Sequence, residues 1–360
     1  MDIGALARAV VSAESSAQRG RAREYLEACR DRVFIHIRRY LEARTAVLPR
    51  GLRACLVEYP YRRGKAVRPT FIMLFNDAFG GERRRAFKVA AAYQLLEDWG
   101  LGRDDILDSA LLRRGKPALH RLYGLPAALN ALDLLHACVG DMLYEYCALP
   151  QRLHRRLHRA FMDATAVTLS GQHLDLQTRA VPLERFTAER YFAVVGMKTA
   201  HYTGACPCRI GAILAGAGPR VERDAAEFGR RLGLAFQVLD DVLDVENTGG
   251  GRFGKAPGND LYEGKRTLVL VETLRRCPAV RRRGILAVYR KPIGSRTRAD
   301  ADFVQTAARE SGALARCRET VRERTDDAVR FFRRRLAPRM PASDARRIAE
   351  FAELLASRSH

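Results

Sequence analysis

Apolar positions recur at helical spacing along most of the chain. Residues 86–99 (AFKVAAAYQLLEDW) place Phe87, Ala90, Ala91, Leu95 and Leu96 near the spacing of one helix face. Residues 127–149 form a second long periodic stretch, closed by Pro150. The same spacing predicts helices over 155–176, 187–217, 222–245, 300–336 and 342–357. No segment alternates in the manner of a strand. Breakers gather at Pro60–Gly64, Arg114–Pro117 and Gly124–Pro126, and most densely over Asn247–Asn259, which reads as a flexible loop carrying a lysine. Residues 1–50 read as peripheral helices that pack on the outside. No repeat of 20–50 residues is evident. The pattern predicts an all-α fold, with one domain over residues 1–360 and a chemistry-bearing core at about 60–270.

Composition narrows the class. Apolar residues make up 47% of the 360 and charged residues 29%, which excludes disorder, collagen and small disulfide scaffolds. The eight cysteines form no CxxC pair, so zinc ribbons and redox motifs are not expected. Scattered thiols fit a reducing compartment. No apolar run approaches the roughly 18 residues of a membrane span. The N-terminus lacks a basic segment followed by an apolar one, so the expected location is the cytoplasm.

The formal charge of +22 favours anionic partners. The basic residues are dispersed and accompany no zinc-finger, basic-zipper or RNP-type motif, so no nucleic-acid partner is expected. Peripheral contact with an anionic membrane surface stays open. Lys occurs at only seven positions: 65, 88, 116, 198, 255, 265 and 291. A retained Lys suits a site that needs a compact ammonium, such as a phosphate contact.

Two acidic clusters stand out. Residues 104–108 read DDILD and residues 240–244 read DDVLD. On a helix, positions i, i+1 and i+4 fall within an arc of about 100°. Asp104, Asp105 and Asp108 therefore share one face, as do Asp240, Asp241 and Asp244. Massed carboxylates repel unless cations lie between them, and Mg²⁺ takes one or two carboxylates plus substrate phosphates. Core sequence precedes the second cluster, which argues against a solvated face. Five of the seven lysines fall in short basic segments around the clusters: RRGKAVRP, LLRRGKP, GMKTAHYT and FGKAPGNDLYEGKRTL. A diphosphate needs metal and cations together.

With these segments in order, the chain resembles the trans-isoprenyl diphosphate synthases, the family of farnesyl and geranylgeranyl diphosphate synthases. The matching pieces are GKAVRP, DDILDSALLRRGKPALH, GQHLDL, MKTAHYT, AFQVLDDVLD and GKAPGNDLYEGKRTL. The resemblance implies a helical bundle around a deep cavity, a homodimer and three Mg²⁺. It assigns all six aspartates to Mg²⁺. It assigns Arg113, Lys198, Thr199, Gln237, Lys255 and Lys265 to the allylic diphosphate, and Lys65, Arg68 and Arg114 to isopentenyl diphosphate. The implied reaction ionises the allylic diphosphate, and the double bond of isopentenyl diphosphate then attacks.

The chain departs from the family at specific positions. Ala66 stands where Arg is frequent. Glu97 stands where His or Gln helps to hold isopentenyl diphosphate, with Asp98 beside it. Arg103 replaces a His; Glu97 is expected either to pair with Arg103 or another Arg, or to weaken that site. Trp99 and Gly100 occupy the positions that set product length, a pattern implying C20 first and C15 second. A class I terpene cyclase on the same scaffold and a non-catalytic partner subunit remain alternatives. Lys116 is expected only to support its loop. His154 and His158 read as a surface pair, and Cys206 and Cys208 as buried thiols.

Overall fold

The computed structural model describes residues 3–246, 260, 264–292 and 294–357, with side chains from residue 20 onward. Lys255 lies outside the described residues. Fifteen α-helices make up nearly all of the described chain, joined by short π and 3₁₀ turns. The expected all-α class is observed.

The central element is α4 (Arg83–Leu107). Ala86, Val89, Ala90, Ala91, Ala92, Tyr93 and Leu95 are all fully buried, so the helix is apolar on nearly every side and sits inside the bundle. Three helices precede it: α1 (Ile3–Arg44), α2 (Arg50–Tyr61) and α3 (Val67–Ala78). Residues 3–44 form one long helix rather than several peripheral ones. Val33, Ile37 and Leu41, each four apart, are fully buried against the α4 core, so α1 contributes a core face. Pro60, expected to break the chain, lies in the last turn of α2, and the break comes at Arg63 with φ +53°.

After α4 comes a hairpin that the sequence pattern missed. Leu112–Arg113 pairs antiparallel with Lys116–Pro117 across Arg114 and Gly115, which have φ +53° and +75°. Two positive φ angles are the mark of a tight hairpin turn that matches strand twist. Then follow α5 (Leu119–Tyr123) and α6 (Leu125–Asp141), which runs into a π turn at Met142–Tyr146 rather than continuing to 149. The next helix, α7, spans Gln151–Ala180.

The stretch expected as one helix over 187–217 is α8 (Ala188–Val195), a π segment (Gly196–Ala205) and α9 (Cys206–Leu214). The π segment lies against α7 and α10 (Pro219–Glu246) at backbone distance. A Cβ on Gly204 would fall 1.9 Å from the Gly229 carbonyl oxygen. A Cβ on Gly171 would fall 2.2 Å from the Lys198 nitrogen. Only glycine permits these approaches, and they set where Lys198 and Thr199 point.

The remaining helices are α11 (Leu268–Arg276), α12 (Ala279–Arg290), α13 (Arg298–Glu310), α14 (Ala313–Arg335) and α15 (Ala342–Ala356). The helix expected over 300–336 is interrupted at Gly312, whose φ is +76°. The cysteines are buried free thiols.

Gly204→Val should destabilise the fold by about 1–3 kcal/mol or more, since its side chain meets backbone that cannot yield. Urea unfolding measures it; an unchanged midpoint would show that the π segment is not packed this closely.

Candidate active site

A cavity of about 750 Å³ opens between α4, α7, the π segment, α10 and the turn before α3. Asp104, Lys198, Thr199, Gln237, Asp240, Asp241, Asp244 and Lys265 line one end. Lys65, Arg68, Glu97, Arg113 and Arg114 line another part of it, and Trp99, Gly100, Ala164 and Leu169 contribute apolar wall. The sequence candidates within the described residues thus converge on one space, save Asp105 and Asp108, which do not line it.

The first acidic cluster is threaded by cations. Asp104 Oδ1 lies 3.2 Å from Lys198 Nζ, which also donates to Asp175 Oδ2 at 2.7 Å. Asp175 meets Arg179 at 3.4 Å, and Arg179 donates to Asp108 at 2.6 Å. Asp108 Oδ2 lies 3.5 Å from Lys265, which reaches Asp260 at 3.0 Å. Acids and cations alternate along this series, so each like charge is separated by an opposite one. Burial alone pushes the Lys198 pKa down, but Asp104 and Asp175 outweigh it and hold the ammonium above the ordinary lysine range. Asp105 is saturated elsewhere: the Tyr59 hydroxyl donates to it at 2.6 Å, and Arg113 Nε donates at 3.0 Å.

The second cluster sits on α10. Asp241 accepts from the Tyr191 hydroxyl at 2.6 Å and from Gln237 Nε2 at 2.8 Å. Burial, reinforced by the nearby charge of Asp260, raises its pKa to about 7 despite these bonds. Asp240 and Asp244 share the cavity wall with it. Among the described residues, no three His, Cys, Asp or Glu side chains converge into a preformed metal cage. Carboxylates on separate walls suit Mg²⁺ nonetheless, because it binds through one or two of them and completes its shell with substrate phosphates and water.

Glu97 pairs with Arg68 at 2.9 Å and not with Arg103. Arg103 instead lies over the Trp99 ring, 5.7 Å from its centre. The Trp99 ring lies against His136, tilted by 34° with centroids 4.3 Å apart. A Cβ at Gly100 would meet only the Tyr202 hydroxyl, at 4.0 Å, so space remains there. The strained turn residue Arg114 is held by bonds to Asp98 (2.8 Å) and the Tyr59 carbonyl (2.9 Å). Lys116 is exposed on the hairpin, and its carbonyl accepts from Arg62. His154 and His158 stack at 6.0 Å near the surface of α7.

Sequence reasoning missed Asp175, Arg179, Tyr191 and Tyr202 as parts of this site. Asp175 falls in the segment GQHLDL, so its motif was visible while its partners were not.

Asp98 offers a pH test. Burial raises its carboxyl from 3.8 to about 6, although Arg114 opposes the rise. The folded state therefore holds this proton more tightly than the unfolded chain, and the stabilisation, complete below about pH 3.8, is lost as pH rises through 6. Between pH 4 and pH 7, Asp98→Asn should gain about 2 kcal/mol on the wild type in urea unfolding. A constant difference across that range would place the carboxyl at an ordinary pKa.

Comparison with known proteins agrees with the geometry. The family pattern described as Polyprenyl synthetase matches residues 50–307. The geranylgeranyl diphosphate synthase of Sulfolobus acidocaldarius is 32% identical over 246 residues, 68% of this chain and 72% of that protein. The geranylfarnesyl diphosphate synthase of Aeropyrum pernix is 32% identical over 297 residues, 78% of this chain and 85% of that one. The crystal structure of a polyprenyl synthase from Caulobacter crescentus CB15, complexed with calcium and isoprenyl diphosphate, superposes with a TM-score of 0.79 at 26% identity, covering 93% of this chain and 98% of that one.

Proposed function

The chain belongs to the polyprenyl synthetase family and is a prenyltransferase, and from that premise we propose that it extends an allylic diphosphate by head-to-tail condensation with isopentenyl diphosphate. The observation that carries this reading is the alternating series from Asp104 through Lys198, Asp175, Arg179 and Asp108 to Lys265, set across one cavity from Asp240, Asp241 and Asp244.

Asp104, Asp108, Asp240, Asp241 and Asp244 would hold Mg²⁺, three ions by the family resemblance. Asp105 joins that set, as Asp108 does, on the resemblance alone: neither lines the cavity, and each already holds a cation, Arg113 for Asp105 and Arg179 for Asp108. Bound Mg²⁺ would neutralise the diphosphate as its charge grows on leaving. Lys198 and Lys265 contribute fixed positive charge on the same group, and Thr199 and Gln237 line its cavity. Lys255 keeps its proposed role there on the resemblance alone. Lys65, Arg68 and Arg114 hold the acceptor alongside, so that its double bond faces C1 of the allylic cation. The apolar wall keeps water from that cation.

Relatives of equal identity carry names for different chain lengths, so overall similarity does not decide the product. Trp99 narrows the apolar wall and Gly100 leaves space beside it, which favours C20, with C15 second. The homodimer is proposed on the family resemblance; Leu125 and Leu129, one turn apart on α6, are exposed apolar side chains available to it. Among the described residues no helix is long and apolar enough to cross a membrane. The pairing of Arg68 and Arg114 with carboxylates keeps a class I cyclase as the second reading, since it weakens the acceptor end.

Asp104→Ala or Asp240→Ala should each lower turnover at least ~100-fold with isopentenyl diphosphate, Mg²⁺ and C5, C10 or C15 allylic diphosphates. Near-wild-type rates would remove the metal assignment. Products identified by mass separate the readings: extended diphosphates support elongation, and a hydrocarbon formed without isopentenyl diphosphate supports the cyclase. Trp99→Ala should lengthen the product, and an unchanged length would deny Trp99 its place in setting it.

A further inference from the structure

Two carboxylates at the acceptor end have no task in the reaction described so far. Glu97 Oε1 meets Arg68 Nη1 at 2.9 Å, with the two side chains only 8% and 15% exposed. Arg68 is further fixed by Thr203 at 2.9 Å and by the Tyr202 ring, 4.4 Å away. Asp98 has no exposed side-chain surface and takes Arg114 at 2.8 Å. Both arginines assigned to the acceptor's diphosphate are thus already in contact with an anion. The neighbouring Arg62 and Arg63 also have partners, Glu58 and Asp31.

Charge then decides what fits. Lys65, Arg68 and Arg114 bring three positive charges, and Glu97 and Asp98 return two negative ones at close range. Low dielectric strengthens that compensation. Glu97 Oε2 adds a second effect: it is buried within a residue of the cavity wall and has no hydrogen-bond partner among the described residues. An unpaired carboxylate oxygen buried in the wall beside the subsite repels each further negative charge placed there. A phosphate monoester carries about −1.5 to −2 at neutral pH. Against the net single positive charge left here, a monoester is in excess by about one charge or less, whereas a diphosphate, with one more ionised oxygen, is in excess by about two.

We propose that Glu97 and Asp98 retune the acceptor subsite toward lower charge, so that it takes a homoallylic phosphate monoester alongside the diphosphate. This rests on the reading of the donor end given above. The chemistry at carbon is unchanged. The C1–O bond of the allylic diphosphate breaks and its electron pair leaves with the diphosphate. The acceptor's π electrons form the new bond to C1. A proton from the carbon beside the resulting tertiary cation goes to the departing diphosphate. The product is a prenyl monophosphate five carbons longer, and no oxidant or reductant is required.

The test uses the full chain with Mg²⁺, geranyl or farnesyl diphosphate, and three acceptors: isopentenyl diphosphate, isopentenyl monophosphate and isopentenol. The wild type should use the monophosphate with a kcat/KM above one tenth of that for the diphosphate, and should leave the uncharged alcohol behind both. Glu97→Gln should lower the monophosphate-to-diphosphate ratio at least tenfold, Asp98→Asn should move it the same way, and Glu97→Asp should restore most of it. A merely structural role would lower both rates together and leave the ratio in place. A wild-type ratio below one tenth, a ratio untouched by Glu97→Gln, or an alcohol preferred to both phosphates overturns the proposal while elongation stands. Failure to extend with any acceptor removes both readings.

Discussion

Like charges cannot be massed in a low-dielectric cavity unless opposite charges lie between them. This constraint organises the whole molecule. Two unit charges a few ångströms apart interact far more strongly in a protein interior than in water. Here the penalty is met by interleaving: Lys198 between Asp104 and Asp175, Arg179 between Asp175 and Asp108, and Lys265 between Asp108 and Asp260. Removing one member leaves its neighbours buried and uncompensated, which costs more than the pair itself contributes. The series is therefore one unit assembled from α4, α7, the π segment and the chain before α11, and those elements must arrive together.

The backbone is shaped to that end. The π segment at residues 196–205 would itself be held off by side chains at 171, 204 and 229. Glycine at each removes the obstacle, and the wider π turn carries Lys198 into the series. π turns inside helices frequently mark functional sites. The hairpin after α4 shows the same economy. Arg114 tolerates a positive φ because Asp98 and the Tyr59 carbonyl hold its guanidinium, so strain in the turn is balanced by bonds at the tip of the side chain.

Cation type follows position. In a chain that writes almost every positive charge as Arg, Lys198 and Lys265 each reach carboxylates from more than one element, a task for a compact and rotatable ammonium. Arg113 presents its flat fork to Asp105. Lysine is not confined to the site, however. Lys88 donates to the Tyr146 carbonyl and Lys291 binds Asp300, so both serve the scaffold. The end of the cavity lined by Lys198 and Lys265 keeps its cations set against facing acids, whereas Arg68 and Arg114 in the other part are each paired with a carboxylate on α4. That asymmetry follows from Glu97 and Asp98 being adjacent on a helix that is buried on nearly every side, where neither can turn to water.

Periodicity alone determined the helical class, because burial of one face at a 3.6-residue repeat is a local property that sequence displays directly. The paired DDxxD spacing was legible in the same way, since i, i+1 and i+4 on a helix share a face wherever the helix lies. Boundaries were less legible: the break at Gly312, the hairpin at Arg114–Gly115 and the core face of α1 depend on what packs against them. Partner choice belonged to the tertiary structure altogether. Glu97 could have met Arg103 nearly two turns along the same helix or Arg68 across the bundle, and Asp105 could have faced the cavity or Arg113. Each outcome is set by contacts between residues far apart in the chain, which spacing along a single helix does not encode.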